Sequence, residues 1–86
     1  MNIDVIWQKI ISLEGEIFYT KTNKEFKYKI NGKKSLTPSR TEYNISKTDF
    51  KKALDKIPLE GPGKINSIVR GPAYVYGILM DKRVCG

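Results

Sequence analysis

The stretch Phe26-Lys27-Tyr28-Lys29-Ile30 alternates apolar and cationic side chains. A strand with this period of two sends Phe26, Tyr28 and Ile30 to one face and Lys27 and Lys29 to the other. One face builds a core while the other offers positive charge, so an antiparallel sheet covered on one side is the architecture this segment demands. The expected sheet has three strands, with Glu16–Lys21 before this segment and Ser35–Thr37 after it.

The turn chemistry conflicts with the hydrophobic pattern. Asn31-Gly32 is a strong signal for a two-residue hairpin turn. Such a turn pairs Ile30 with Lys33 and puts Leu36 opposite Lys27, on the lysine face. One more loop residue pairs Ile30 with Lys34 and brings Leu36 across from Tyr28. A slip of one residue inverts every side chain, so burial predicts a three-residue loop or a bulge near Lys33. The first strand is ambiguous in the same way, because Ile17 and Tyr19 oppose Phe18.

Helices flank this sheet. Ile3, Ile6, Trp7, Ile10, Ile11 and Leu13 recur at helical spacing and predict a helix over about residues 3–14, with Asn2 as N-cap and Gly15 beyond its end. Pro38 ends the third strand, and Ser39–Asn44 reads as a polar loop. Ser46 then caps a second helix, with Asp49 completing a capping box and Phe50, Ala53, Leu54 and Ile57 inward. Pro58 stops that helix, and Leu59-Glu60-Gly61-Pro62-Gly63 forms a rigid turn. Ile65, Ile68 and Val69 suggest a helical turn. Pro72 opens a last helix over about 73–81, in which Gly77 allows close backbone contact.

The expected fold is α+β in the order α-β-β-β-α-α, as a single domain over residues 1–86, with helices on one face of the sheet. A winged helix uses related parts, but its helices precede its wing. Ile6, Trp7, Ile10, Phe26, Ile30, Phe50, Leu54, Ile57, Val75 and Ile78 are expected to share one core.

Charge narrows the function classes. Residues 21–56 hold eleven Lys/Arg against four acids, whereas residues 1–20 hold one Lys against three. With net charge +7 and pI near 9.6, the excess lies in the hairpins and the following helix, as expected of a polyanion binder. No apolar run approaches a membrane span, and the N-terminus does not read as a signal peptide. The lone Cys85 has no intrachain partner, so a reducing, cytoplasmic setting is expected.

The chain has no His and one Cys, which leaves no Cys/His metal site, no Ser-His or Cys-His nucleophile and no His acid–base catalyst. Glu25-Phe26-Lys27 and Asp49-Phe50-Lys51 match the acid-x-Lys half of a restriction-type nuclease site. Neither has an obvious acidic partner in the sequence. Gly61-Pro62-Gly63-Lys64 resembles a phosphate loop without its earlier Gly and following Ser/Thr, and a turn is the better reading. No enzyme and no cofactor are expected.

The positive constellation is Lys27, Lys29 and Lys33 or Lys34 on the hairpin, Arg40 in the loop, and Lys47, Lys51 and Lys52 on the helix. Long flexible cations suit phosphate neutralisation. Tyr19, Tyr43 or Tyr28 suits base stacking if exposed. The residues expected to contact nucleic acid are Lys27, Lys29, Lys34, Arg40, Tyr43, Lys47 and Lys51.

The run Pro38-Ser39-Arg40-Thr41 through Ile45-Ser46-Lys47-Thr48-Asp49-Phe50, with Leu59–Gly63 and Arg70-Gly71-Pro72-Ala73-Tyr74-Val75-Tyr76-Gly77-Ile78-Leu79, resembles a small uncharacterised bacterial domain. That domain occurs alone and fused to restriction-type or helicase proteins. The resemblance covers roughly residues 13–84. It implies a DNA-handling or phage-defence setting and carries over no catalytic residue. The expected function is therefore non-enzymatic nucleic-acid binding, to DNA before RNA, in an accessory or regulatory role and away from membranes. The alternative is a protein-interaction module or phage- or plasmid-borne inhibitor whose lysines engage an acidic partner.

Overall fold

Capping defines the start of the first helix, as Asn2 predicts. In the computed structural model, which describes residues 2–57 and 61–85, Asn2 Oδ1 accepts the Asp4 N–H at 2.8 Å. Helix α1 (Ile3–Ser12) buries Ile6, Trp7 and Ile10. It stops short of residue 14, and the chain reverses through Gly15, whose φ of +86° suits a residue without Cβ.

Five short strands follow: β1 (Phe18–Tyr19), β2 (Glu25–Phe26), β3 (Tyr28–Asn31), β4 (Ser35–Pro38) and β5 (Ile45–Ser46). They make an antiparallel pair β1-β2 and a three-stranded antiparallel sheet β3-β4-β5. The fold is α+β, but its three-stranded sheet is not the one expected. The Phe26–Ile30 segment is interrupted at Lys27, because Ser39 takes both backbone groups of that residue. Lys27 N–H donates to Ser39 Oγ at 3.0 Å, and Lys27 C=O accepts the Ser39 N–H at 2.8 Å. The third strand of the sheet is β5, where Ile45 lies beside Leu36. Alternation carries through the interruption, with Phe26 and Tyr28 buried and Glu25, Lys27 and Lys29 exposed.

Burial decides the hairpin register. Asn31 pairs with Ser35, Ile30 with Leu36 and Tyr28 with Pro38, across a three-residue loop Gly32–Lys34. Leu36 is fully buried on the Tyr28 face. The ladder is set two residues further than an Ile30–Lys34 pair, because Asn31 stays in the strand and Gly32 and Lys33 take the positive φ values, +58° and +61°. The loop is tied down from two sides. Trp7 Nε1–H donates to the Lys33 carbonyl at 2.9 Å, and Lys47 N–H donates to the Lys34 carbonyl at 3.0 Å. In the first strand Phe18 is the buried residue, while Ile17 and Tyr19 face out.

Helix α2 (Lys47–Leu54) starts directly from β5. Ser46 Oγ accepts the Asp49 N–H at 3.1 Å, and the Asp49 carboxylate accepts the Ser46 N–H at 3.4 Å, forming the expected capping box. Ser46→Ala should therefore lower stability by about 1 kcal/mol, and Ser46→Thr by less. Urea melts of the two variants check this.

A 3-10 turn (Pro62–Ile65) precedes α3 (Pro72–Leu79) and α4 (Lys82–Cys85). The last of these is not evident in the sequence, where one helix over 73–81 is expected. The stop at Pro58 and the Leu59-Glu60 part of the turn lie outside the described residues. Arg83 clamps α4 onto β1: its guanidinium lies 4.3 Å from the centroid of the Phe18 ring and donates to the Ile17 carbonyl at 2.7 Å. Asp81 holds the same guanidinium at 2.9 Å, and that contact keeps the Asp81 carboxyl below the usual range.

Residues of α1, α2, α3 and α4 share one buried cluster with Phe26 and Tyr28. Ile6, Trp7, Ile10, Phe26, Phe50, Val75 and Ile78 are buried together with Phe18, Leu36, Ile45, Ile65, Leu79 and Val84. Ile30, Leu54 and Ile57 are corrected to the partly buried rim of this core. Each sits at an element end or sheet edge, where cover is incomplete.

Candidate nucleic-acid interface

The outward face of the sheets has two halves of different chemistry. Over β4 the face is closed by polar pairing: Asn31 Nδ2 donates to Thr37 Oγ1 at 2.9 Å and to Asn44 Oδ1 at 3.2 Å. Asn44, at the end of loop 39–44, thus joins the polar pairing on this side, and Ser35 is buried although it alternates with Leu36. The other half stays open. It carries Glu25, Lys27 and Lys29 by alternation, with Tyr19 directly across from Glu25. Arg40 forms the rim, its Nη1 donating to the Glu25 carbonyl at 3.3 Å.

Of the residues expected to contact nucleic acid, Lys27, Lys29 and Arg40 come together on this open half. Lys34, Lys47 and Lys51 belong to a second group at the α1–α2 junction. Lys34 sits in the tethered loop, and Lys47 Nζ is held by Asp4 Oδ1 at 2.6 Å. That bond, with Lys51 adding a weaker attraction, holds the Asp4 carboxyl below the usual carboxylate range. The ion pair offsets part of the charge that Lys47 would present to a phosphate. Tyr43 is 47 % exposed and lies beside Gly71, where a Cβ would come within 3.2 Å of its ring.

The tyrosines separate by environment. Tyr28 is withdrawn from any base: it is buried, its hydroxyl donates to the Ile10 carbonyl, and burial pushes its phenol above the usual range. Tyr19 is 52 % exposed. Sequence reasoning named it as one of three stacking candidates but left it out of the contact set. The signal that isolates it is the burial of Phe18, since alternation then turns Ile17 and Tyr19 outward together.

The remaining motifs take structural roles or stand apart. Asp49 is engaged in its capping box. Gly61, Pro62, Gly63 and Lys64 line an open surface cavity of about 370 Å³ with Lys21, whose Nζ would lie 2.8 Å from a Cβ at Gly61. Among the described residues no three His, Cys, Asp or Glu side chains gather as a metal site, and no helix is long and apolar enough to cross a membrane.

Glu25 brings an acid to the open half, two residues from Lys27 and across from the Tyr19 ring. The surface can neutralise phosphates at Lys27, Lys29 and Arg40, offer a π-face at Tyr19 and accept a hydrogen bond at Glu25. No family model, no curated protein and no solved structure matches this chain, so the chemistry of this face is what speaks for its role.

Proposed function

We propose that the chain is a non-enzymatic nucleic-acid-binding protein, acting through the phosphates of DNA before RNA in an accessory or regulatory role. The observation that carries this reading is the open half of the sheet. Lys27 and Lys29 stand exposed there, alternating with the buried Phe26 and Tyr28, and Arg40 borders them. Sheet-borne cations spaced two residues apart lie about 6.7 Å apart along the strand, close to the phosphate repeat of an extended nucleic-acid strand. Net charge of +7 adds long-range attraction for any polyanion.

Salt-titrated binding to duplex and single-stranded oligonucleotides tests it. Affinity should fall with salt at a log–log slope of about −0.9 per phosphate neutralised on duplex, or about −0.7 on single strands. Lys27→Glu with Lys29→Glu should weaken binding tenfold or more for all sequences alike and flatten the slope, because phosphate contacts carry no base information. Folding stability should barely move, since these side chains are exposed and form no ion pair among the described residues. Absence of binding to duplex, single strand and RNA at low salt would reject the proposal and favour the acidic protein partner.

A further inference from the structure

Resting on that reading, we propose that the strand bound is single, with one base stacked on the Tyr19 ring and its edge presented to Glu25. Small domains enter a duplex groove by projecting a hairpin or a helix. The hairpin beside this face, β1–β2, turns at residues 20–24 with Lys21 set against Gly61 rather than projecting from the face. The Gly32–Lys34 loop is held by Trp7 and by the Lys47 N–H, so it cannot reach forward as a wing. Helix α2 has eight residues and turns Phe50 and Ala53 into the core, with Lys51 and Lys52 exposed on its other side. An exposed sheet face with an aromatic ring and flanking cations remains, which is the surface that unstacked bases and a flexible backbone can follow.

Tyr19 is presented by a fixed backbone. Phe18 below it is fully buried, the Thr20 N–H donates to the Lys24 carbonyl at 3.0 Å, and the Tyr19 carbonyl packs against Gly77 of α3. The ring therefore meets a base with little ordering to be done, and Ile17 on the same side extends its apolar surface. Glu25 repels phosphate, which steers the backbone along Lys27 and Lys29 and leaves the base side toward Tyr19. Its carboxylate accepts from an exocyclic amino group, as acids do from cytosine N4. The strand position over Tyr19 should then favour cytosine or adenine over thymine.

Fluorescence anisotropy with labelled 12-nucleotide probes tests this: oligo-dC, oligo-dT, an abasic strand of equal length and a mixed duplex, all at one salt concentration. The wild-type protein should bind oligo-dC about tenfold more tightly than the abasic strand, since one stacked base contributes on that order. Tyr19→Phe should retain this ratio, Tyr19→Ala should abolish it, and Glu25→Gln should raise affinity for every probe while narrowing the gap between dC and dT. Equal affinity of the wild-type protein for abasic strand and oligo-dC overturns the inference whether or not Tyr19→Ala folds. Tighter binding to duplex than to any single strand also overturns it. In both cases a loss of binding in the Lys27/Lys29 double variant would leave the proposed function standing. Failure of every probe to bind would remove that function as well.

Discussion

Phe50→Ala should destabilise the protein by about 3–5 kcal/mol, the usual range for removing a fully buried ring. Phe50 has no exposed surface, and its ring centroid lies 5.5 Å from that of Trp7. It anchors α2 against α1, and the two helices are otherwise linked at their surface by the Asp4–Lys47 pair. Domains have about 0.05–0.15 kcal/mol of stability per residue, so the loss approaches or exceeds the lower end of what 86 residues supply. Urea denaturation followed by Trp7 fluorescence reads the effect directly, because the indole lies against the cavity. An unchanged midpoint would remove Phe50 from the core.

Gly77→Ala sets two effects against each other. Alanine favours a helix interior over glycine by about 1 kcal/mol. In α3, however, the added Cβ would lie 2.5 Å from the Tyr19 carbonyl oxygen and 3.1 Å from the Phe26 ring. The oxygen is backbone and cannot rotate away, so α3 must withdraw from β1. Overpacking of this kind costs about 1–3 kcal/mol or more, and we expect a net loss despite the gain in propensity. Gly77→Val should be worse, since its extra methyls crowd the same contact and its helix propensity exceeds that of glycine by less than alanine's does. Thermal melts check the order wild type, alanine, valine. A more stable alanine variant would show that the helix and strand separate without penalty.

The parts of the fold that were legible in the sequence are those dictated by local chemistry. Asn2, Ser46 and Pro72 each mark a helix start through a group that satisfies or omits a backbone N–H, and each does so here. Gly77 was legible because a small residue in an apolar helix implies a close neighbour. Leu36 was legible because its burial outweighed the Asn-Gly turn. What stayed hidden depends on groups distant in the chain. The split at Lys27 needs Ser39, β5 needs Leu36 beside Ile45, and α4 is held by Arg83 on Phe18 and Ile17. For the interface, Lys27 and Lys29 follow from alternation alone. The commitment of Lys47 to Asp4, 43 residues away, does not.

One contact of the turn that follows α1 bears on the open border of the sheet. Glu14 Oε2 accepts the Ile30 N–H at 2.7 Å, at the border of β3. A strand border with a vacant donor is a template on which another chain can add its own strand, and proteins blunt such borders with charge. Here the carboxylate fills the donor and also sets a negative charge where an incoming strand would place its carbonyl oxygen. The segment beyond it, Tyr28–Asn31, has the alternating aromatic and β-branched make-up that favours cross-β association. With its donor filled and an acid beside it, this stretch of the β3 border is closed to an added strand.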